Sequence, residues 1–156
     1  MVVDDRRLDA EVAGVVALVR SSGARLVNVG HGRDRASVRR ARRFLRVWLD
    51  GGVETGAEVG EVVSWPATAA SWLRPARRLA SGAPDAWVVA DQADAWAKLC
   101  VRLAATAWRA DRTFCFPGLD QPKLVSQIGA DLVEGMRGIG DGGRWAIVAG
   151  ELRRLG

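Results

Sequence analysis

The chain has no tyrosine, two lysines, one histidine and two cysteines among 156 residues, and each scarcity closes off a class of function. Cys100 and Cys115 have no paired spacing and no companion histidines, so they form no metal signature. Cys100 lies in a helical pattern and Cys115 in an apolar run, and both read as buried thiols. No stretch approaches the roughly eighteen apolar residues that cross a bilayer. The start, MVVDDRRLDAEVAG, has acids where a secretion signal carries a basic end and an apolar block. As written, it reads as a chain that stays in the cytoplasm. Ser64 has no Gly-x-Ser-x-Gly surround, so a nucleophile elbow is missing. Three residues after Gly32 stands Arg35 rather than glycine, which breaks a dinucleotide fingerprint, and no phosphate-loop lysine follows. No low-complexity tract interrupts the chain.

With so few lysines, the formal net charge of +5 rests on arginine. Arginine with abundant alanine, glycine and valine has the look of a high-GC coding bias, which weakens the step from basicity to nucleic acid. The arginines from 33 to 46 read as a solvated helix face. What the chain does have is 49% hydrophobic content, enough at this length for one domain with a core. It also has seven tryptophans: Trp48, Trp65, Trp72, Trp87, Trp96, Trp108 and Trp145. Most fit helix or strand faces. Trp65, at a strand end beside Pro66, reads either as core, or as the wall of a pocket or a partner surface.

Residues 59–91 declare the architecture. An apolar run over 59–65 and a second over 86–90 are joined by about twenty residues of helical pattern, a strand, crossover helix and parallel strand. The rest repeats that unit. Leu8, Val12, Val15, Val16 and Val19 take helical spacing in a first helix over 5–22, and a strand over 25–29 follows. Residues 30–35 (Gly30, His31, Gly32, Arg33, Asp34, Arg35) contain nothing apolar and read as a loop. Ser37 then caps a second helix with Val38, Ala41, Leu45 and Trp48 on one stripe. Residues 53–60 read as a loop. Pro75 marks either a late helix start or a bend. The strand 86–90 lacks polar alternation, as a central strand does. A helix over 93–108, a strand over 113–116, and a helix from Pro122 through Met136 capped by Asp120 follow. Leu124, Val125, Ile128, Leu132 and Val133 form the buried side of that helix. A last strand over 145–148 precedes a polar tail, ELRRLG.

The sum is a single α/β domain, an open, mostly parallel, doubly wound (flavodoxin-like) sheet of about five strands with helices on both faces. Ligands of such sheets bind outside the carboxyl ends of the strands, at the switch in strand order. That rim brings together Gly30, His31, Gly32, Arg33, Arg35, Ser64, Trp65, Asp91, Gly118 and Asp120 as candidate ligand-binding residues. Backbone N–H groups at the second helix, with Arg33 and Arg35, could hold an anion; alternatively these arginines pair with Asp34. Asp91 and Asp120 are strand-end acids that either work as a pair or cap the helices after them. No catalytic residue, metal or cofactor is assigned. An enzyme would need His31 within hydrogen-bond reach of Asp91 or Asp120.

The order and spacing of several phrases resemble the carboxy-terminal lobe of type I periplasmic binding proteins, in the branched-chain amino-acid (Leu/Ile/Val) binding family of ABC transporters. These are RLVNVGHGRD with its helix, Gly51-Gly52 followed by VGEVVSWPATA, the phrase APDAWVV, and PGLDQPKLVSQIGADLVEGMRG, together spanning about residues 5–138. The family has two such lobes closing on a solute, is exported and delivers to a membrane permease. The amino-terminal lobe has no counterpart here. Ala36-Ser37 stand where the family often has Tyr-Gly, and Pro117 where it often has an acid, with Asp120 three residues on. The resemblance implies non-enzymatic binding of a small polar molecule, with the open half-cleft covered by a second copy of the chain (a homodimer) or by a partner protein. An interaction or assembly protein that has lost its ligand is the other reading, which an exposed apolar patch around Trp65 and Trp72 would favour. Neither membrane insertion nor nucleic acid is expected.

Overall fold

The structure, a computed structural model, describes residues 2–155. Its first helix, α1 (Val2–Ser21), buries the expected stripe: Leu8, Val12, Val15, Val16 and Val19 are all in the core. Strand β1 runs over Leu26–Gly32, then α2 over Arg35–Asp50. A short α3 (Gly52–Thr55) leads into β2 (Glu58–Trp65). Helix α4 spans Leu73–Leu79, which puts Pro75 in the first turn, where its missing N–H has no partner to lose. The late start was the right alternative. Strand β3 (Ala86–Ala90) is buried at every position, as a central parallel strand must be.

Beyond β3 come α5 (Ala93–Leu103), a 3-10 turn over Ala110–Arg112 and β4 (Thr113–Cys115). The helix expected from Pro122 through Met136 is two pieces, α6 (Lys123–Ile128) and α7 (Ala130–Val133). They are broken at Gly129, whose φ of 118° lies outside any helix. Of its expected buried side, Leu124, Ile128 and Val133 are buried while Leu132 is exposed. Three strands close the chain: β5 (Arg137–Gly140), β6 (Gly143–Val148) and β7 (Glu151–Leu155). The expected polar tail is thus largely an edge strand; Gly156 lies outside the described residues.

The sheet has seven strands rather than about five, in the order β2-β1-β3-β4-β5-β6-β7. The first five are parallel, β6 runs antiparallel to β5, and β7 runs antiparallel to β6. Helices α1 and α2 cover one face, through a core of Val27, Val29, Phe44, Trp48, Phe114 and Phe116. Helices α4 to α7 cover the other, around Trp65, Trp96, Leu99, Trp108 and Trp145. Each parallel strand needs a covered face on both sides, which is why the chain alternates strand with helix until the antiparallel hairpins begin.

Two features set the rim. In β2, two residues oppose Asn28, because the register steps from Val27↔Val59 to Val29↔Val62. The Asn28 side chain fills that gap, accepting from the Glu61 N–H at 2.9 Å and donating to the Leu79 and Ser81 carbonyls at 2.8 Å each. The polar group is buried because its bonding capacity is used. Strand order then reverses between β1 and β3, since β1 leads outward to β2 and the chain crosses back to β3. That is the switch point.

Candidate functional site

Strand β1 carries straight through Gly30, His31 and Gly32, so the expected loop shrinks to Arg33 and Asp34. Gly30 is buried against the large ring behind it: a Cβ there would lie 2.7 Å from Trp65 and 3.0 Å from Leu79. Gly32 leaves room in the same way for Asp91, whose Oδ1 would lie 2.3 Å from a Cβ at that position. Glycine is required at both positions by close approach rather than by backbone conformation. The cap of α2 is Asp34, not Ser37; its carboxylate accepts the Ser37 N–H at 3.1 Å. The buried stripe of α2 is Ser37, Ala41, Phe44 and Trp48, with Val38 and Leu45 only half-buried.

At the switch point sits Asp91, 2% exposed. The Trp65 indole donates to its Oδ2 at 2.8 Å. Burial raises the Asp91 carboxyl to about 6, against the opposing pull of the indole hydrogen bond, and the charge of Asp34 adds to the rise. Acids raised in this way are enriched at binding and catalytic sites, which makes Asp91 the candidate centre of this one. Gln92 reaches from the next position to donate to Asp34 at 3.5 Å.

Around Asp91 the other rim residues take their places. Arg33 donates from Nε to the Ser64 hydroxyl at 3.2 Å, so it pairs with a neutral partner and not with Asp34. Together with Trp65, Ser71 and Arg74 they line a cavity of about 190 Å³ beside the end of β2. Arg35 opens α2 and is exposed. The N–H of Gly118, at a φ of 106°, donates to Asp120 Oδ1 at 3.1 Å, and a Cβ there would lie 3.2 Å from the Asp91 carbonyl. Asp120 also faces Arg154 of β7 at 4.0 Å. Its work is to hold the loop after β4 against the antiparallel hairpins.

Several expectations change. Asp91 and Asp120 do not form the acid pair; the acid that acts on Asp91 is Asp34. Neither caps a helix, for Gln92 stands at the start of α5 and Pro122 at the start of α6. The half-buried His31 ring makes its hydrogen bond to the Gly32 carbonyl at 2.7 Å, so Nδ1 carries the proton. It bonds to neither acid among the described residues. Trp65 is wholly buried, stacked on Trp96 at 6.3 Å, and Trp72 packs half-buried on the same core. The exposed apolar patch that an assembly surface would need around these two rings is therefore not formed.

Asp34 and Gln92 lie within the expected rim but act through each other and on Asp91 rather than on the arginines, and Arg40, expected on a solvated helix face, is half-buried. Arg40 grips Glu11 with two nitrogens, at 3.1 and 3.2 Å, and donates to the Pro117 carbonyl at 3.1 Å. That contact ties α1, α2 and the rim loop together. The acids early in α1 were the available signal, since Asp5, Asp9 and Glu11 each meet an arginine of α2. Among the described residues no cluster of ligating side chains could hold a metal, and no helix is long and apolar enough to cross a membrane.

No family model matches the chain, and no curated protein sequence matches it significantly. Solved structures do. A substrate-binding periplasmic protein from Ralstonia solanacearum superposes with a TM-score of 0.68 over 82% of this chain and 35% of its own, at 15% identity. The fold is that of a periplasmic-binding-protein lobe. A branched-chain amino-acid ABC transporter protein from Rhodospirillum rubrum matches the lobe equally well, at 0.68 and 19% identity over 82% of this chain and 36% of its own. A leucine-binding protein from Thermotoga maritima matches it at 0.64 and 18% identity, over 82% and 36%. The chain spans about a third of the length of these proteins.

Proposed function

We infer that the rim at the switch point between β1 and β3 binds a small polar ligand without transforming it, as a solute-binding lobe does. The observation that carries this reading is Asp91: a carboxylate buried at the topological switch point, at a cost in stability, with Asp34 and the Arg33–Ser64 pair beside it. Buried acids with raised values are enriched at binding and catalytic sites, which supports a functional role for Asp91. The ligand class that fits is an amino acid or a similar zwitterion, its ammonium toward the exposed Asp34, with the buried Asp91 charge behind it, and its carboxylate toward Arg33 and the start of α2. The fold neighbours named for leucine and branched-chain amino acids point the same way.

One lobe offers half a cleft. A half-cleft leaves one side of the ligand in water, so useful affinity calls for a cover, either a second copy of the chain or a partner protein. The test is calorimetric titration with the common amino acids, on the parent chain and on Arg33→Gln and Asp91→Asn. A saturable heat that both substitutions reduce supports the reading. No heat with any amino acid up to about 10 mM, where even an uncovered half-site begins to fill, or a heat indifferent to both substitutions, sinks it.

A further inference from the structure

At the end of the sheet opposite the rim, where β1, β3 and β4 begin, a cavity of about 480 Å³ opens between the turns that follow α1, α4 and α5. Its size falls within the roughly 300–1,000 Å³ of small-molecule sites. The apolar wall is Ala24, Ala83, Pro84 and Trp87, and the polar lining is Arg25, Arg109, Arg112 and Asp85.

The charges here are unequally engaged. Asp85 accepts the Leu26 and Arg25 N–H groups through Oδ2 at 2.9 Å each, and these bonds, with the nearby charges of Arg112 and Arg25, hold the carboxyl below its ordinary value. Arg109 is clasped by Asp111 through two bonds, at 3.0 and 2.7 Å. The half-buried Arg112 and the exposed Arg25 make no side-chain hydrogen bond or ion pair with any described residue. Helices α1, α4 and α5 all end near this cavity, and their carbonyl ends attract cations. That explains why arginines gather here. It does not explain an apolar recess beside them, nor two guanidiniums with no direct bond and only the through-space pull of Asp85, a carboxylate already bonded to the backbone.

We propose that this cavity is a second ligand site, for a small organic oxyanion: its charged group lies between Arg25 and Arg112, and its apolar body rests on Trp87 and the Ala83–Pro84 turn. A guanidinium pair suits a carboxylate or a phosphate group. The site shares no residue with the rim, so the two stand or fall separately.

The experiment is a titration of the 15N-labelled chain with benzoate and, separately, with phenyl phosphate, followed by amide and indole NMR shifts. The expected result is saturable movement of the Gly23, Arg25 and Ala83 amides and of the Trp87 indole, with rim amides still. Arg112→Gln weakens that binding at least about tenfold, a loss of roughly one charged hydrogen-bonded contact. Ala107→Phe, at an exposed position in the wall, fills the recess and abolishes it. The tighter of the two probes identifies carboxylate or phosphate as the charged group. Absence of saturation up to about 10 mM, movement confined to the rim, or binding untouched by both substitutions overturns the proposal.

Discussion

Asp91→Asn tests whether the switch-point carboxylate weakens the fold, as a residue kept for binding would. In the folded chain its carboxyl is raised from 3.8 to about 6, chiefly by burial. A group whose folded value exceeds its unfolded one gives its full stabilisation at low pH and loses it as pH rises through the folded value. Asp91 should therefore support the fold below about pH 4 and weaken it steadily through about pH 6. The rise of about two units is worth about 3 kcal/mol. Asparagine keeps the shape and can still accept from the Trp65 indole, but it carries no charge to desolvate. The variant should match the parent near pH 4 and exceed it by about 2–3 kcal/mol near pH 8, or about 5–10 °C in Tm for a chain of this length. Urea denaturation of both proteins at several pH values measures the difference directly, and subtracting the curves removes every other titrating group. A parent whose stability relative to the variant is constant, or grows with pH, refutes the reasoning.

Trp65→Phe deletes the indole N–H and the pyrrole half of a wholly buried ring, so a pH-independent packing loss adds to the loss of the donor. The donor's share, about 1–3 kcal/mol near pH 8, is the part of the cost that shrinks as Asp91 protonates, read by the same denaturation series. Gly30→Ala drives a methyl into the Trp65 ring 2.7 Å away and should cost about 1–3 kcal/mol through overpacking. A thermal melt as high as the parent's would show that the ring has room to move. Arg40→Ala leaves the buried Glu11 with only Arg7, 3.8 Å away, and releases the Pro117 carbonyl. With the two side chains only 17% and 10% exposed, a loss of about 2–4 kcal/mol is expected, together with faster amide exchange in residues 118–120, while Arg40→Lys should recover only part of it because the two-nitrogen grip is lost.

The parallel half of the fold was legible because burial on both faces writes itself into the strands. Ala86–Ala90 has no polar alternation and is buried throughout, and the first helix shows its apolar stripe without ambiguity. The antiparallel end was harder. Strand β5, Arg-Gly-Ile-Gly, has a single apolar side chain, and β7 is an outer strand whose Glu151, Arg153 and Arg154 face water. Neither carries the apolar density that marks a buried strand, so both looked like connection or tail. Gly129 broke the helix after Pro122 although its flanking pattern continued, because periodicity carries no information about a positive φ.

At the rim, the sequence marked the right neighbourhood and misjudged its parts. Gly30-His31-Gly32 looked like a loop for want of apolar side chains, yet the space there is filled from outside, by Trp65 against Gly30 and Asp91 against Gly32. Those contacts are long-range, and no local pattern announces them. For the same reason Asp120 suggests a helix cap or a partner of Asp91, while Asp34, correctly placed in the loop, suggests a partner for the arginines rather than the acid that acts on Asp91.

The most direct test of a ligand-binding rim is the mass of the chain, 16.8 kDa, measured by native mass spectrometry after purification without denaturation and again after mixing with amino acids. A chain or dimer carrying a small adduct, which Arg33→Gln and Asp91→Asn both lose, is the result expected. A bare monomer under every condition, for the parent as for the variants, contradicts the account.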